Sequence, residues 1–68
     1  MGVIIIREMV GSSPESWSVA ASEAVARASH TVRNIRRVEV VRHAAKVSEG
    51  RIEEYEVELK IFFDYEGT

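Results

Sequence analysis

The segment RIEEYEVELKIFFDY, residues 51–65, decides the fold of this chain. Apolar side chains occupy its odd-numbered positions from Tyr55 to Tyr65, and charged side chains occupy the even-numbered positions from Glu54 to Lys60. An alternation with period two over about a dozen residues is typical of a β-strand with one apolar face and one charged face. We therefore predict a long strand over residues 51–65 that packs against the rest of the chain on one side only.

Two further strands and a helix are predicted around this segment. Residues 3–10 and 35–47 are rich in β-branched side chains, and Ser48, Glu49 and Gly50 form a turn into the strand over residues 51–65. Residues 14–32 place Trp17 and a series of alanines along one helical stripe. This fold class is α+β, in the order β-α-β-β, with a three-stranded antiparallel sheet that wraps one helix in a single domain over residues 1–68.

The start of the predicted helix has two candidate caps. Ser13 precedes Pro14, a residue that suits the first helical position because its missing N–H needs no partner there. Ser12 lies three residues before Glu15 and offers a capping box instead. Both alternatives predict that the helix begins close to Pro14.

The hairpin formed by the last two strands is expected to align their apolar positions. This register places Val40 opposite Val57 and Val38 opposite Leu59. The charged positions then follow, with Glu39 opposite Glu58 and Arg37 opposite Lys60. One helix covers only one side of such a sheet, so we predict that the side that carries Arg37 and Glu56 is left open and is covered by further copies of the chain.

The composition excludes several classes of protein. The chain has 68 residues, no cysteine and a formal net charge of −2, which argues against a disulfide framework and against general nucleic-acid binding. No apolar run is long enough to cross a membrane, so we predict no membrane partner, and the first residues lack the pattern of a signal peptide. The sequence therefore predicts a soluble, cytoplasmic protein with a small core that other copies of the chain complete.

Charged side chains on the last two strands are the candidate binding residues, because no nucleophile, base and orienting group are arranged as in an enzyme. The basic residues are either partners of the glutamates on the neighbouring strand or contacts for a phosphate or another anion. The candidate anion contacts are Arg36, Arg42 and Lys46. Glu54, Glu56 and Glu58 share one strand face and could instead gather a hard cation such as Ca²⁺ or Mg²⁺, with Glu56 and Glu58 as the candidate metal ligands.

The order of these elements and several short motifs resemble the dodecins over essentially the whole chain. The motifs are Glu8-Met9-Val10-Gly11-Ser12-Ser13 leading into Glu15-Ser16-Trp17, the alanine-rich helix, Thr31 spaced from Ile35, Glu39-Val40, and Tyr55 spaced from Val57. The resemblance implies a hollow homododecamer that stores or buffers a flavin and is not an enzyme. It also implies that flavins bind as stacked pairs at two-fold interfaces, between aromatic side chains.

The resemblance locates the flavin site at Arg37, Val38 and Glu56. Flavin-binding dodecins place a stacking Trp where this chain has Arg37, and a Gln that binds the flavin edge where it has Glu56. A guanidinium group can stack on a ring, but a carboxylate has no amide donor, so an Arg–Glu network with weak or no binding of FMN or riboflavin is expected. The stretch from Ile35 to Val40 resembles dodecin-like proteins that lack the Trp and have been associated with Ca²⁺, which implies a calcium-binding or structural shell as the alternative.

Overall fold

The computed structural model describes residues 2–65 and confirms the predicted architecture. Strand β1 (Ile4–Ser13) is followed by helix α1 (Trp17–Ala28), strand β2 (Ile35–Ser48) and strand β3 (Arg51–Asp64). The three strands form one antiparallel sheet in the order β1-β3-β2, so that the segment quoted first is the central strand. The molecule is elongated, with extents of 53 × 20 × 13 Å. No helix within residues 2–65 is both long enough and apolar enough to span a membrane.

The helix begins later than predicted, and neither Ser12 nor Ser13 caps it. Ser16 is the N-cap, with an extended backbone (φ −170°, ψ 165°), and its hydroxyl accepts a 3.0 Å hydrogen bond from the N–H of Val19. Ser13 instead ends β1, where it pairs with Tyr55 and its hydroxyl accepts a hydrogen bond from the N–H of Glu15. The prediction failed because pairing with β3 keeps the backbone extended through Ser13. The helix also ends at Ala28, before the predicted end at residue 32.

The core is thin and is built on small side chains, as predicted. Ala20 and Ala24 of α1 pack against Val57 and Leu59 of β3, and all four are buried. Gly11 of β1 permits this close approach, since a Cβ atom at this position would lie 2.6 Å from the carbonyl oxygen of Ala20. The helix therefore rests almost directly on the backbone of β1.

The predicted hairpin register is wrong by two residues. Val40 lies opposite Leu59, and Val38 lies opposite Ile61. Glu39 faces Lys60 and Arg37 faces Phe62, where the prediction placed Glu58 and Lys60. The cause lies in the turn, which contains only Glu49 and Gly50, both with positive φ (53° and 75°), so that Ser48 pairs with Arg51. Irregularities in β2, one of them between Val40 and Arg42, shift the register again along the strand.

Candidate functional site

The candidate site is the face of the sheet that α1 does not cover, here called the open face. Directly paired residues of antiparallel strands project to the same side of a sheet, so the register defines this face. From β1 it carries Ile4, Ile6, Glu8, Val10 and Ser12; from β3, Glu54, Glu56, Glu58, Lys60, Phe62 and Asp64; and from β2, Arg37, Glu39, Arg42, Ala44 and Lys46. The face therefore carries both charged side chains and exposed apolar ones, of which Val10 is 64% exposed.

Arg37 is held against the open face by two contacts. Its guanidinium carbon lies 3.9 Å from the ring centroid of Phe62, and its Nη1 donates a 2.9 Å hydrogen bond to Oε2 of Glu39. Phe62 projects from the open face but is only 7% exposed. The Arg37 side chain thus covers an aromatic ring of its own chain, and Glu39 neutralises its charge.

Glu56 lies on the same face as Arg37, as predicted, but the chain does not bring the two side chains together. Glu56 pairs across the sheet with Ser12 on one side and Ala44 on the other, and it is half-buried. Phe62, the residue under Arg37, is six positions further along β3, which corresponds to roughly 20 Å. Among residues 2–65 the Glu56 carboxylate has no hydrogen bond or ion pair, so its charge is not balanced within the described chain.

The third residue of the predicted flavin site projects away from the open face. Val38 pairs with Ile61 on the side of the sheet where α1 packs, and it is half-buried there. Within one copy, Val38 therefore does not line the same surface as Arg37.

The candidate anion contacts each have a carboxylate partner. Arg42 lies 3.4 Å from Glu58 and Lys46 lies 4.0 Å from Glu54, both across the β2–β3 pair. Arg36 lies 3.6 Å from Asp64. These distances favour the first of the two interpretations of the basic residues, in which they neutralise glutamates of the neighbouring strand. The pairs are exposed, so each contributes little to stability and its cation remains accessible to another anion.

A shallow depression of about 200 Å³ surrounds the two candidate metal ligands. Val10, Arg42, Ala44, Glu56 and Glu58 line it. The small side chain of Ala44, together with the lack of an ion-pair partner among residues 2–65, leaves the Glu56 carboxylate accessible from the surface. Within residues 2–65 no group of three or more His, Asp or Glu side chains is arranged to hold a metal ion. One copy therefore supplies two carboxylates, one of which is paired with Arg42.

One cluster that joins the helix to the hairpin was not found from the sequence. Trp17 contacts the rings of Tyr55 and His43 in edge-on geometry, with centroid distances of 4.8 and 5.7 Å. Its indole Nε1–H donates a 2.8 Å hydrogen bond to the carbonyl oxygen of Ala44. The sequence placed Trp17 on the apolar stripe of the helix, and the residue is 37% exposed. Its partners depend on the hairpin register and could not be read from helical spacing.

Comparison with known proteins identifies relatives of this chain. The family model described as Dodecin matches residues 3–66. A calcium dodecin of Mycobacterium tuberculosis is 39% identical over 64 residues, which cover 93% of this chain and 89% of that protein.

Solved structures agree with the family match. The dodecin of Streptomyces coelicolor superposes with a TM-score of 0.95 at 31% identity and covers 98% of this chain and 96% of its own. The crystal structure of the M. tuberculosis calcium dodecin, described as a calcium-chelating antigen with a calcium-binding site, has a TM-score of 0.83 at 34% identity, covering 97% of this chain and 94% of its own.

Proposed function

Because the chain belongs to the dodecin family, we propose that it is a non-enzymatic homododecameric shell that stores or buffers a small ligand. Homologues in this family form homododecamers. The observation that carries the proposal is the open face, which α1 leaves uncovered although Ile4, Ile6 and Val10 project from it. A thin core and an uncovered sheet face together favour a chain whose burial is completed by other copies. The cytoplasmic location predicted from the sequence remains a prediction.

The ligand that the open face supports best is a divalent cation such as Ca²⁺. Hard cations bind carboxylate oxygens, and beside Glu58 the Glu56 carboxylate has no ion pair with any residue of 2–65. A relative with 39% identity is a calcium dodecin, which adds support for this ligand. One copy supplies too few oxygens for a Ca²⁺ ion, so the proposed site is completed by carboxylates of neighbouring copies or by water.

A flavin, FMN or riboflavin, is the second candidate ligand. It is favoured by the family resemblance and by the Arg37–Phe62 pair, which places a guanidinium group and an aromatic ring at the position equivalent to the stacking Trp. The same pair also argues against flavin binding, because a flavin ring would have to compete with Phe62 for contact with the Arg37 guanidinium group. Glu56 opposes it as well, since an ionised carboxylate only accepts hydrogen bonds and repels the carbonyl oxygens of the flavin edge. A phosphate group would also have to displace the carboxylates paired with Arg36, Arg42 or Lys46.

Three measurements on the full chain test these proposals separately. Mass photometry at micromolar concentration tests the shell, and a monomer or dimer as the only species would exclude it. Calorimetry with Ca²⁺ tests the cation; heat that disappears in Glu56→Gln but persists in the exposed control Glu53→Gln supports the proposed site. Titration of FMN and riboflavin, followed by flavin fluorescence, tests the second ligand. If the protein is a dodecamer but gives no heat with Ca²⁺ and does not quench flavin fluorescence, the proposed shell stands and both proposed ligands are excluded.

A further inference from the structure

The two ends of this elongated molecule carry opposite charge. The loop after α1 and the start of β2, residues 31–37, contain three arginines and no carboxylate, whereas residues 46–56 contain four glutamates and two cations. Along the central strand, Phe63 at the first end and Ile52 at the second are separated by eleven positions, or roughly 37 Å. We call residues 31–37 together with the adjacent Arg7 the basic end, and residues 47–52 the hairpin tip.

A cleft of about 370 Å³ opens at the basic end. Its lining consists of Arg7, Thr31, Val32, Arg33, Phe63 and Asp64. Neither Arg7 nor Arg33 has a carboxylate of residues 2–65 within 4.0 Å, and Asp64 is 3.6 Å from Arg36 instead. Val32 and Phe63 are half-buried and give the cleft an apolar wall. The cleft thus combines an apolar surface and the Asp64 carboxylate with two guanidinium groups that form no ion pair within residues 2–65.

The hairpin tip presents features complementary to the cleft. Its residues 47–52 contain one glutamate and one arginine, Arg51, and the glutamate lies in the turn itself. Glu49 occupies the two-residue turn with φ 53°, a left-handed conformation that costs free energy for a residue with a Cβ atom and for which Asn, Asp or Gly is preferred. An ordinary residue held in this region points to a role for its side chain. The Glu49 carboxylate has no ion pair within residues 2–65. Directly behind it, Val47 and Ile52 pair across the hairpin and are 67% and 48% exposed.

We propose that the hairpin tip of one copy docks into the cleft at the basic end of the next copy. The Glu49 carboxylate pairs there with the guanidinium groups of Arg7 and Arg33. Val47 and Ile52 cover the apolar wall of the same cleft. A second copy is the occupant that fits because one short hairpin supplies both the negative charge and the apolar pair, and a small free anion supplies only the charge.

This contact is head-to-tail, because different surfaces of two identical chains meet in it. Repetition of a head-to-tail contact generates a closed ring when the rotation between copies closes. The inference rests on the proposed homododecamer and assigns one of its contacts. It is independent of the open face and of whichever ligand binds there.

A reciprocal charge swap tests the contact in the full chain. The variants are Arg33→Glu, Glu49→Arg and the double variant, with Glu23→Arg on the exposed surface of α1 as the charge control. Each single swap is expected to raise the protein concentration at half-assembly, measured by mass photometry, by about tenfold or more, because like charges then meet. The double variant is expected to assemble better than either single variant, since the pair between positions 33 and 49 is restored in the opposite sense, but below the wild type, because Arg7 is unchanged. The control is expected to assemble like the wild type.

Two results would overturn this contact. One is assembly of both single variants at the wild-type concentration; the other is a double variant that assembles no better than the weaker single one. A wild-type chain that never forms a dodecamer would remove the proposed shell itself, so the two failures are distinguishable. Circular dichroism at the same concentrations checks that each variant is folded, and Arg33→Gln with Glu49→Gln replaces any swap that is not; these neutral variants are expected to weaken assembly in the same direction.

Discussion

The guanidinium carbon of Arg37 lies over the ring of Phe62, 3.9 Å from its centroid, on the face of the sheet opposite the helix. The pair explains how an aromatic ring on the open face is almost fully buried. It also places this chain's own side chains where a ring-shaped ligand would otherwise stack. The consequences for stability and for ligand choice can be measured separately.

Removal of the Arg37 side chain is expected to destabilise the folded chain. Arg37→Ala exposes the ring of Phe62 and removes the cation–π contact, which together predict a loss of about 1 kcal/mol in the free energy of unfolding. Arg36→Ala is the matched control, because within residues 2–65 Arg36 forms one exposed ion pair, with Asp64, and its loss should cost less than about 0.5 kcal/mol. Chemical denaturation at equal protein concentration makes the comparison. Equal effects of the two substitutions would contradict a specific contribution from the stacked pair.

The same position is expected to control flavin binding. Arg37→Trp combined with Glu56→Gln replaces the covered surface with a large indole ring and gives the site an amide donor. We expect the double variant to quench FMN fluorescence at concentrations where the wild type does not. The single variants Arg37→Trp and Glu56→Gln show how much each substitution contributes to flavin binding. If the wild type quenches FMN as strongly as the double variant, Arg37 does not block the site.

The fold could be predicted from the sequence because its strongest signals are local and periodic. The alternation in residues 51–65 identified the central strand, and the alanine stripe identified the buried face of α1. The hairpin register could not be obtained in the same way. It depends on Glu49 adopting a left-handed conformation, which glutamate rarely does, and on a bulge next to Val41 that no residue type in β2 signals.

The sequence predicted which face of the sheet forms the candidate site, but it did not predict the side-chain contacts on that face. The placement of Arg37 and Glu56 on one uncovered face follows from strand periodicity and tolerates the error of two residues in register, because such a shift preserves the face. The prediction of which residues contact Arg37 is changed by that error. The residue opposite Arg37 is Phe62 and not the predicted Lys60, so the structure has a cation–π contact where a like-charge contact was expected.

The close contact between α1 and β1 makes Gly11 a sensitive position. Gly11→Ala would place a methyl group 2.6 Å from the carbonyl oxygen of Ala20 and 2.8 Å from the Cβ of Ala24. Since both neighbours belong to a packed helix, relief requires the helix to move, and a loss of about 1–3 kcal/mol is expected. Gly2→Ala serves as the control, because apart from its chain neighbours no described residue has an atom within 4 Å of the new methyl group. Thermal unfolding should separate the two variants clearly; equal midpoints would show that the helix yields at little cost.

Trp17 is expected to hold the hairpin against the helix. Trp17→Phe keeps an aromatic ring but loses the 2.8 Å hydrogen bond to the carbonyl oxygen of Ala44, at a cost of about 1 kcal/mol. The loss should appear as faster amide hydrogen exchange in β2 around Ala44, with smaller changes in β1. Tyr55→Phe, which changes the neighbouring ring by one hydroxyl group, is the control. Uniform acceleration across all strands would instead indicate a global effect on stability.

The left-handed conformation of Glu49 links the stability of the hairpin to its proposed role in assembly, and one substitution separates the two. Glu49→Gly removes the steric cost of the turn, so the free energy of unfolding is expected to rise or to remain within about 1 kcal/mol of the wild-type value. The same substitution removes the carboxylate proposed to meet Arg7 and Arg33, so assembly is expected to weaken. Gly50→Ala is the converse control, because it introduces strain at φ 75° with open space around the new methyl group and leaves the carboxylate in place. For Glu49→Gly, mass photometry should therefore show weaker assembly, while circular dichroism should show a free energy of unfolding that is higher than, or within about 1 kcal/mol of, the wild-type value. If both improve together, the glutamate at the tip has no role in assembly.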